Sequence, residues 1–307
     1  MWLKLSNFRI IILLGVLFLW AAREIYLCSD IEVSVGSFHD SPTAICMSRR
    51  EAKRLEYFFQ QIIIKEPFAY TLAGTKPASI YGFENRFTIL SPSNVRFVLG
   101  WKTFEKYKRY FDSEKIDCWV EKNWIEAGAK DLLVIVDRGK LNEIFLNNTN
   151  FKQNPQILTS RPLFAKGLQK HDALIGIALG YGKKNAWLYH NKFYDYANWT
   201  LEQKLDVSNK LPLIWDREVI EKQAKKIWFK SLMFQSLTAE DIGIPSFVGD
   251  PFSEESLQLK QDYLLARKKI IQYYKNRNFL EASLNLYKYG FLILNLTSSC
   301  CHLDDPD

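Results

Sequence analysis

Apolar residues stepping by three and four predict most of the elements in this chain. Ala52, Leu55, Phe58/Phe59 and Ile62 recur at helical spacing. Ser48 stands before them with Glu51 three residues on, the pattern of a capping box, and Pro67 closes the run. Residues 102–111 put Phe104, Tyr107 and Phe111 on one helical face. Residues 171–180 and 184–196 read as two helices parted by Gly180-Tyr181-Gly182. A helix over 216–234 is expected to turn Val219/Ile220, Ile227, Trp228 and Met233 inward. Ser253 is positioned to cap a long helix reaching about 276, with Leu259, Tyr263, Ala266, Ile270 and Tyr273 as its core stripe. Asn278 with Glu281 repeats the capping logic for a last helix over 279–295.

Strand patterns gather in the first half. Residues 131–137 (DLLVIVD) are the clearest buried strand, because apolar residues run on without alternation. Residues 116–120 suggest a second strand, and 68–84 a loop with a short strand. RFTIL and VRFVLGW, within 86–101, read as a hairpin joined by Ser91-Pro92-Ser93-Asn94. Residues 28–47 read as an irregular linker. The expected class is therefore α+β: a small, mainly antiparallel sheet in the first half and a helix-rich second half. At ~150 residues per domain, 307 residues allow one large domain or two small ones. One body over 48–297 is expected, with a possible sub-boundary near 150–162 and a flexible tail over 298–307.

The N-terminus changes this picture. Residues 10–22 (IIILLGVLFLWAA) carry no charge, and Lys4, Arg9 and Arg23 flank them. A positive segment before an apolar one is the pattern of a secretory leader. Thirteen helical residues span about 20 Å, short of the ~30 Å hydrocarbon core, though Ile25, Tyr26 and Leu27 extend the apolar reach. Bulky Trp20 stands where cleavage after Ala22 needs a small residue. Residues 1–27 thus read as an uncleaved signal anchor or a cleaved signal peptide, with a buried helix as the plain alternative. More positive charge precedes the run than follows it, which keeps the N-terminus in the cytoplasm and the body outside.

Charge sets limits on partners. The net charge is +7. Removing residues 1–23 leaves 38 basic against 34 acidic residues, or +4, without a block of five like charges. A nucleic-acid partner is therefore not indicated. Lys222, Lys225, Lys226 and Lys230 line one side of the 216–234 helix, a solvated face or one turned to anionic lipid. The five cysteines form no C-x-x-C pair and no zinc spacing with histidine, so no metal or cofactor is expected. An export setting leaves a Cys28–Cys46 pair open. Asn147, Asn198 and Asn295 head N-x-[ST] sequons, relevant only in a eukaryote.

Three segments carry candidate chemistry. Gly180, Gly182, Lys183, Lys184 and Asn185 open a helix, where backbone N–H groups and lysines suit a phosphate or carboxylate. The plain reading is a helix–turn–helix joint. Residues 187–199 hold six aromatic residues, among them Trp187, beside His190, a candidate base. They suit a platform for sugar, peptide or lipid headgroups, or simply core. Thr71–Pro77 sets hydroxyls and Lys76 around Gly74, either an oxyanion cradle or a turn. Asp137 and Asp250 would suit acid–base chemistry if they converged.

FAYTLAGTKPASIYGF at 68–83, HDALIGIALGYGKKNAW at 171–187 and IGIPSFVGDPFSEESLQLKQDY at 242–263, taken with the leader, resemble uncharacterised exported or membrane-anchored proteins of intracellular bacteria, notably environmental chlamydiae. The resemblance implies a bacterial envelope setting and brings no activity with it. The expected function is a noncatalytic envelope protein that binds a protein, or a small anionic or sugar ligand, through its middle segment. The competing expectation is a hydrolase or transferase using Asp137, Asp250 or His190 on an anionic or sugar-containing substrate.

Overall fold

The computed structural model describes residues 16, 18–19, 21–36, 43–83, 92–125, 130–147, 163–164, 168, 171–193, 213–232, 237–290 and 294. The expected linker is ordered instead. Strands β1 (Asp30–Val35) and β2 (Thr43–Ser48) pair antiparallel, with Val33 opposite Ile45. Val33, Val35, Ile45 and Met47 are buried while their neighbours face outward. That two-residue alternation is what a half-buried hairpin needs, and it was hidden by the lack of a continuous apolar run.

Helix α1 (Arg49–Phe59) starts where its cap predicts. Ser48 accepts from the Glu51 N–H, and the Glu51 carboxylate accepts from the Ser48 N–H. Its stripe continues through a π-helical segment, Gln60–Lys65, that buries Ile62, Ile63 and Ile64. A short helix, α2 (Phe68–Leu72), leads to strand β3 (Ala78–Phe83).

Residues 92–107 overturn the predicted hairpin. They form one helix, α3 (Pro92–Tyr107), while 86–90 lie outside the described residues. Pro92 suits a first helical turn, where no intrahelical N–H bond is lost. Phe97, Trp101 and Phe104 then fall on one face, within 6 Å of the Phe58 ring. Gly100 admits the α1 backbone: a Cβ there would lie 2.6 Å from the Arg54 carbonyl oxygen. Helix packing thus outweighs the β propensity of VRFV. Much of the aromatic content is core: Phe59, Phe111 and Tyr287 complete this cluster.

Strands β4 (Ile116–Ile125) and β5 (Lys130–Asp137) complete a three-stranded antiparallel sheet in the order β3-β5-β4. Central β5 has apolar packing on both faces, which explains its unbroken apolar run. Leu133 and Ile135 join the aromatic core, while Leu132, Val134 and Val136 join a second cluster with Leu141, Phe145 and Ile177. Helix α4 (Arg138–Asn147) follows β5 without an intervening turn.

In the second half, α5 (Asp172–Ala178) and α6 (Lys183–Phe193) flank the Gly180–Gly182 joint as expected. Helix α7 (Arg217–Leu232) departs from expectation. Val219, Trp228 and Phe229 are exposed, Trp228 by 65%; of the expected inward residues Ile220 and Ile227 turn partly inward, and Met233 lies outside the described residues. Lys226 and Lys230 instead pair with the buried carboxylate of Asp241; against the cost of burial, Lys230, the Thr238 N–H and Lys226 hold its pKa at about 2. Ile220, Gln223, Ile227 and Lys230, three and four residues apart, form the half-buried side of α7. Helix α8 (Glu254–Tyr274) buries Tyr263, Ala266, Ile270 and Tyr273. Helix α9 (Phe279–Tyr289) is capped by Asn278, but Glu281 reaches across to accept from the Ser34 N–H instead of closing a capping box.

The whole is α+β, with two small antiparallel sheets. Residues 21–28 are helical, and among the described residues no helix is long and apolar enough to cross a membrane. Residues 1–15 lie outside them, as do the expected boundary at 150–162 and the tail at 298–307.

Candidate functional site

The glycine joint forms an anion cradle, and the chain supplies the anion. Gly180 and Gly182 both take left-handed backbone, at φ 77° and 85°. Beyond them the first N–H groups of α6 point away from the helix, as helix starts require. The Glu255 carboxylate accepts from the N–H groups of Lys183 (2.8 Å), Lys184 (3.3 Å) and Asn185 (3.1 Å). A Cβ on Gly182 would sit 2.5 Å from that carboxylate. Asn185 is buried and fully engaged: its Nδ2 donates to the Tyr181 carbonyl and to Ser256, and its Oδ1 accepts from the Asp250 N–H. Lys183 and Lys184 contribute backbone here, while the residues themselves are exposed.

Trp187 and His190 face elsewhere. The His190 ring stacks on His171 at 4.4 Å, and Trp187 meets both histidines edge-on. His171 Nδ1 is buried with no hydrogen-bond partner. Burial, then the neighbouring His190, lowers the His171 pKa. Of the aromatic segment, 194–199 lie outside the described residues.

The two candidate turns meet at a cavity that the motifs did not announce. A cavity of about 290 Å³ opens between Lys65, Glu66, Lys76, Tyr181 and the Gly243–Ser246 loop. Gly180 fits beside Pro77, where a Cβ would come within 2.8 Å of the proline ring. Lys76 is 1% exposed, and its ammonium lies 5.6 Å from the centre of the Tyr181 ring. Among the described residues it makes no hydrogen bond and no ion pair. Local structure fixes the backbone on either side of it. Thr75 and Lys76 donate their N–H groups to the Tyr70 carbonyl, and Pro77 leads into β3, with its own carbonyl accepting from Asp137.

The wall opposite is held rigidly. Tyr70 Oη donates to the Gly243 carbonyl, Gly243 donates to Ile64, and Trp215 Nε1 donates to the Pro245 carbonyl. Tyr181 stacks on Phe247 at 4.5 Å, and Tyr263 Oη donates to the Gly180 carbonyl.

The electrostatics are unusual. Burial pulls the Lys76 pKa down to about 7, opposed by Glu66. Burial pushes Glu66 up to about 7, opposed by Lys76 and Lys65. Lys65, exposed at the rim, is lowered by partial burial. An amine and a carboxyl that both titrate near neutrality, facing one cavity, are what proton-handling sites require. Sequence reasoning singled out Lys76 but missed Lys65 and Glu66. Their signal was a charged pair set directly between the buried Ile62–Ile64 run and Pro67.

Asp137 caps α4, accepting from the Lys140 N–H, and lines a wider cavity of about 560 Å³ with Lys115, Asp262 and Lys269. Asp250 lines neither cavity and accepts from Phe252. Cys28 and Cys46 are free thiols. Among the described residues no group of three histidine, cysteine or acidic side chains is placed to hold a metal ion. No protein-family model matches the chain, and no curated protein or solved structure matches it either.

Proposed function

We propose that this protein is a noncatalytic binding protein of a bacterial envelope that takes a small anion, such as a carboxylate or phosphate, into the Lys65–Glu66–Lys76 cavity. One observation carries the reading: Lys76 is buried at the cavity wall with no bonded counter-charge among the described residues. A buried cation is costly unless something compensates it, and a bound anion would supply that compensation. The cavity suits a ligand of a few heavy atoms, at the small end of binding sites. Tethering by residues 10–27, with the body outside the cytoplasm, completes the proposal. Val16, Phe18, Leu19 and Ile25 are each more than half exposed, which suits contact with lipid better than a place in the core. The acid–base alternative gains less support, because Asp137, Asp250 and His190 do not line a common cavity of these two.

The test is a thermal-shift series on the full chain in detergent with phosphates, carboxylates and sugars. A ligand at 100 times its Kd adds about 2.7 kcal/mol, a rise of several degrees for a chain of this size. The rise should shrink in both Lys65→Ala and Lys76→Met and persist in Lys183→Ala. No shift with any anion, on protein that melts cooperatively, overturns the proposal.

A further inference from the structure

We infer that Lys76 is an amine nucleophile that captures a small 2-oxo acid in this cavity as a reversible imine, with Lys65 holding the acid's carboxylate and Glu66 moving the protons. The inference rests on the anion-binding reading above and names the ligand class. Three features of the geometry carry it. Lys76 lines the cavity without a bonded carboxylate that would hold it as a fixed ammonium. Lys65, at the rim of the same cavity, supplies a positive charge separate from the amine that would react. Glu66 lines the cavity between them in sequence and is partly buried. An anion site alone needs lysines. A lysine, a second cation and a partly buried carboxyl in one small cavity also provide for a carbonyl group. The depressed basicity of Lys76 agrees with this arrangement, since only the neutral amine attacks a carbonyl.

The step balances without an external oxidant or reductant. The Lys76 nitrogen lone pair forms a C–N bond to the carbonyl carbon, and the C=O π pair moves to oxygen, which takes the proton of the Glu66 carboxyl. The resulting carbinolamine returns a nitrogen proton to Glu66. Glu66 then protonates the hydroxyl, the nitrogen lone pair forms the C=N bond as the C–O bond breaks, water leaves, and the iminium nitrogen returns its remaining proton to Glu66. The products are the imine and one water, and hydrolysis reverses every step.

The experiment treats the full chain in detergent with pyruvate and cyanoborohydride, which reduces an imine to a stable secondary amine. Labelled lysines are then located by peptide mass mapping. Lys76 should be labelled about ten-fold faster than exposed lysines such as Lys225. Lys65→Ala should slow labelling by pyruvate but not by propanal, which has no carboxylate for Lys65 to hold. Glu66→Gln should slow both. Lactate, which has the carboxylate but no carbonyl, serves as the binding control. Lys76 labelling no faster than Lys225, with a lactate thermal shift present, overturns the imine and leaves the anion site standing. Absence of both the labelling and any anion shift overturns the two together. Lys76→Met, checked for native circular dichroism, should lose the label at this peptide while surface labelling continues.

Discussion

The turn at Gly180–Asn185 and the turn at Thr71–Pro77 both set a lysine beside a glycine bend and meet opposite fates: the N–H groups of the first reach a distant carboxylate, while those of Thr75 and Lys76 close on the Tyr70 carbonyl. Each places a lysine within two residues of a glycine with positive φ. At the first, Glu255 arrives from α8 and satisfies three N–H groups at once. At the second, Glu66 lines the same cavity as Lys76 yet forms no ion pair with it. The first turn is therefore a completed joint, while at the second the Lys76 ammonium is buried without a hydrogen bond or ion pair among the described residues. The difference shows that donors at a helix start mark an anion position, while only the rest of the fold says whether that position is already filled.

Removing Glu255 should have the largest effect. Glu255→Ala strips three charge-assisted hydrogen bonds and a favourable helix-dipole contact, costing about 2–4 kcal/mol. A drop in melting temperature of about 5–10 °C is expected. Added formate or sulfate should restore part of it by entering the vacated cradle, converting the filled turn into an open one. No recovery at high anion concentration would mean that the cradle is shaped for Glu255 alone.

Lys76→Met should act in the opposite direction. It removes a buried amine lacking a bonded counter-charge and keeps the length of the side chain. Stability at pH 7 should rise by about 1–3 kcal/mol, read from the denaturant midpoint. A fall of that size would show that Lys76 is stabilised by contacts that methionine cannot supply.

The pH profile sharpens the same point. Between 4.5 and about 7 the native Glu66 holds a proton that the unfolded chain has released, so stability falls as pH rises. Between about 7 and 10.5 the unfolded Lys76 holds a proton that the native state has released, so stability rises. The pair should therefore produce a dip near pH 7, of about 1–2 kcal/mol once solvent screening at Glu66 is allowed for. Glu51, held at about 2 chiefly by Lys106 and the Ser48 N–H against the cost of burial, and Asp241 at the same value, finish titrating below this window. His171 and other shifted groups also contribute, so the wild type is compared with Glu66→Gln/Lys76→Met. The difference between the two curves should show the dip, and a flat difference would contradict it.

Lys183→Ala and Lys184→Ala should do least. The cradle uses their backbone N–H groups, so each change should cost less than about 0.5 kcal/mol. A loss near that of Glu255→Ala would assign the joint to their ammonium groups instead.

Local rules made part of this molecule readable in advance. Ser48 with Glu51, Ser253 and Asn278 started helices where expected, because a cap bonds only two or three residues away. The unbroken DLLVIVD run named the central strand, because burial on both faces removes alternation. VRFVLGW misled, since four of its residues favour strands while their spacing also fits a helix face. Gly100 decided between the two by letting α1 approach. The α7 prediction failed for a similar reason: Val219 and Trp228 were assigned inward, whereas the half-buried side is Ile220, Gln223, Ile227 and Lys230, with Lys230 reaching the buried carboxylate of Asp241.

By itself, the sequence determined where helices begin, which strand is central, and where the glycine bends at 74 and 180–182 lie. All of these follow from interactions within a few residues. The tertiary structure alone decided which turn is filled. Glu255 lies 70 residues from Asn185 along the chain yet bonds to it, and Lys76 faces Tyr181 and Gly243 across the same cavity. Whether a buried charge finds its partner depends on long-range packing, which sets distance and dielectric together.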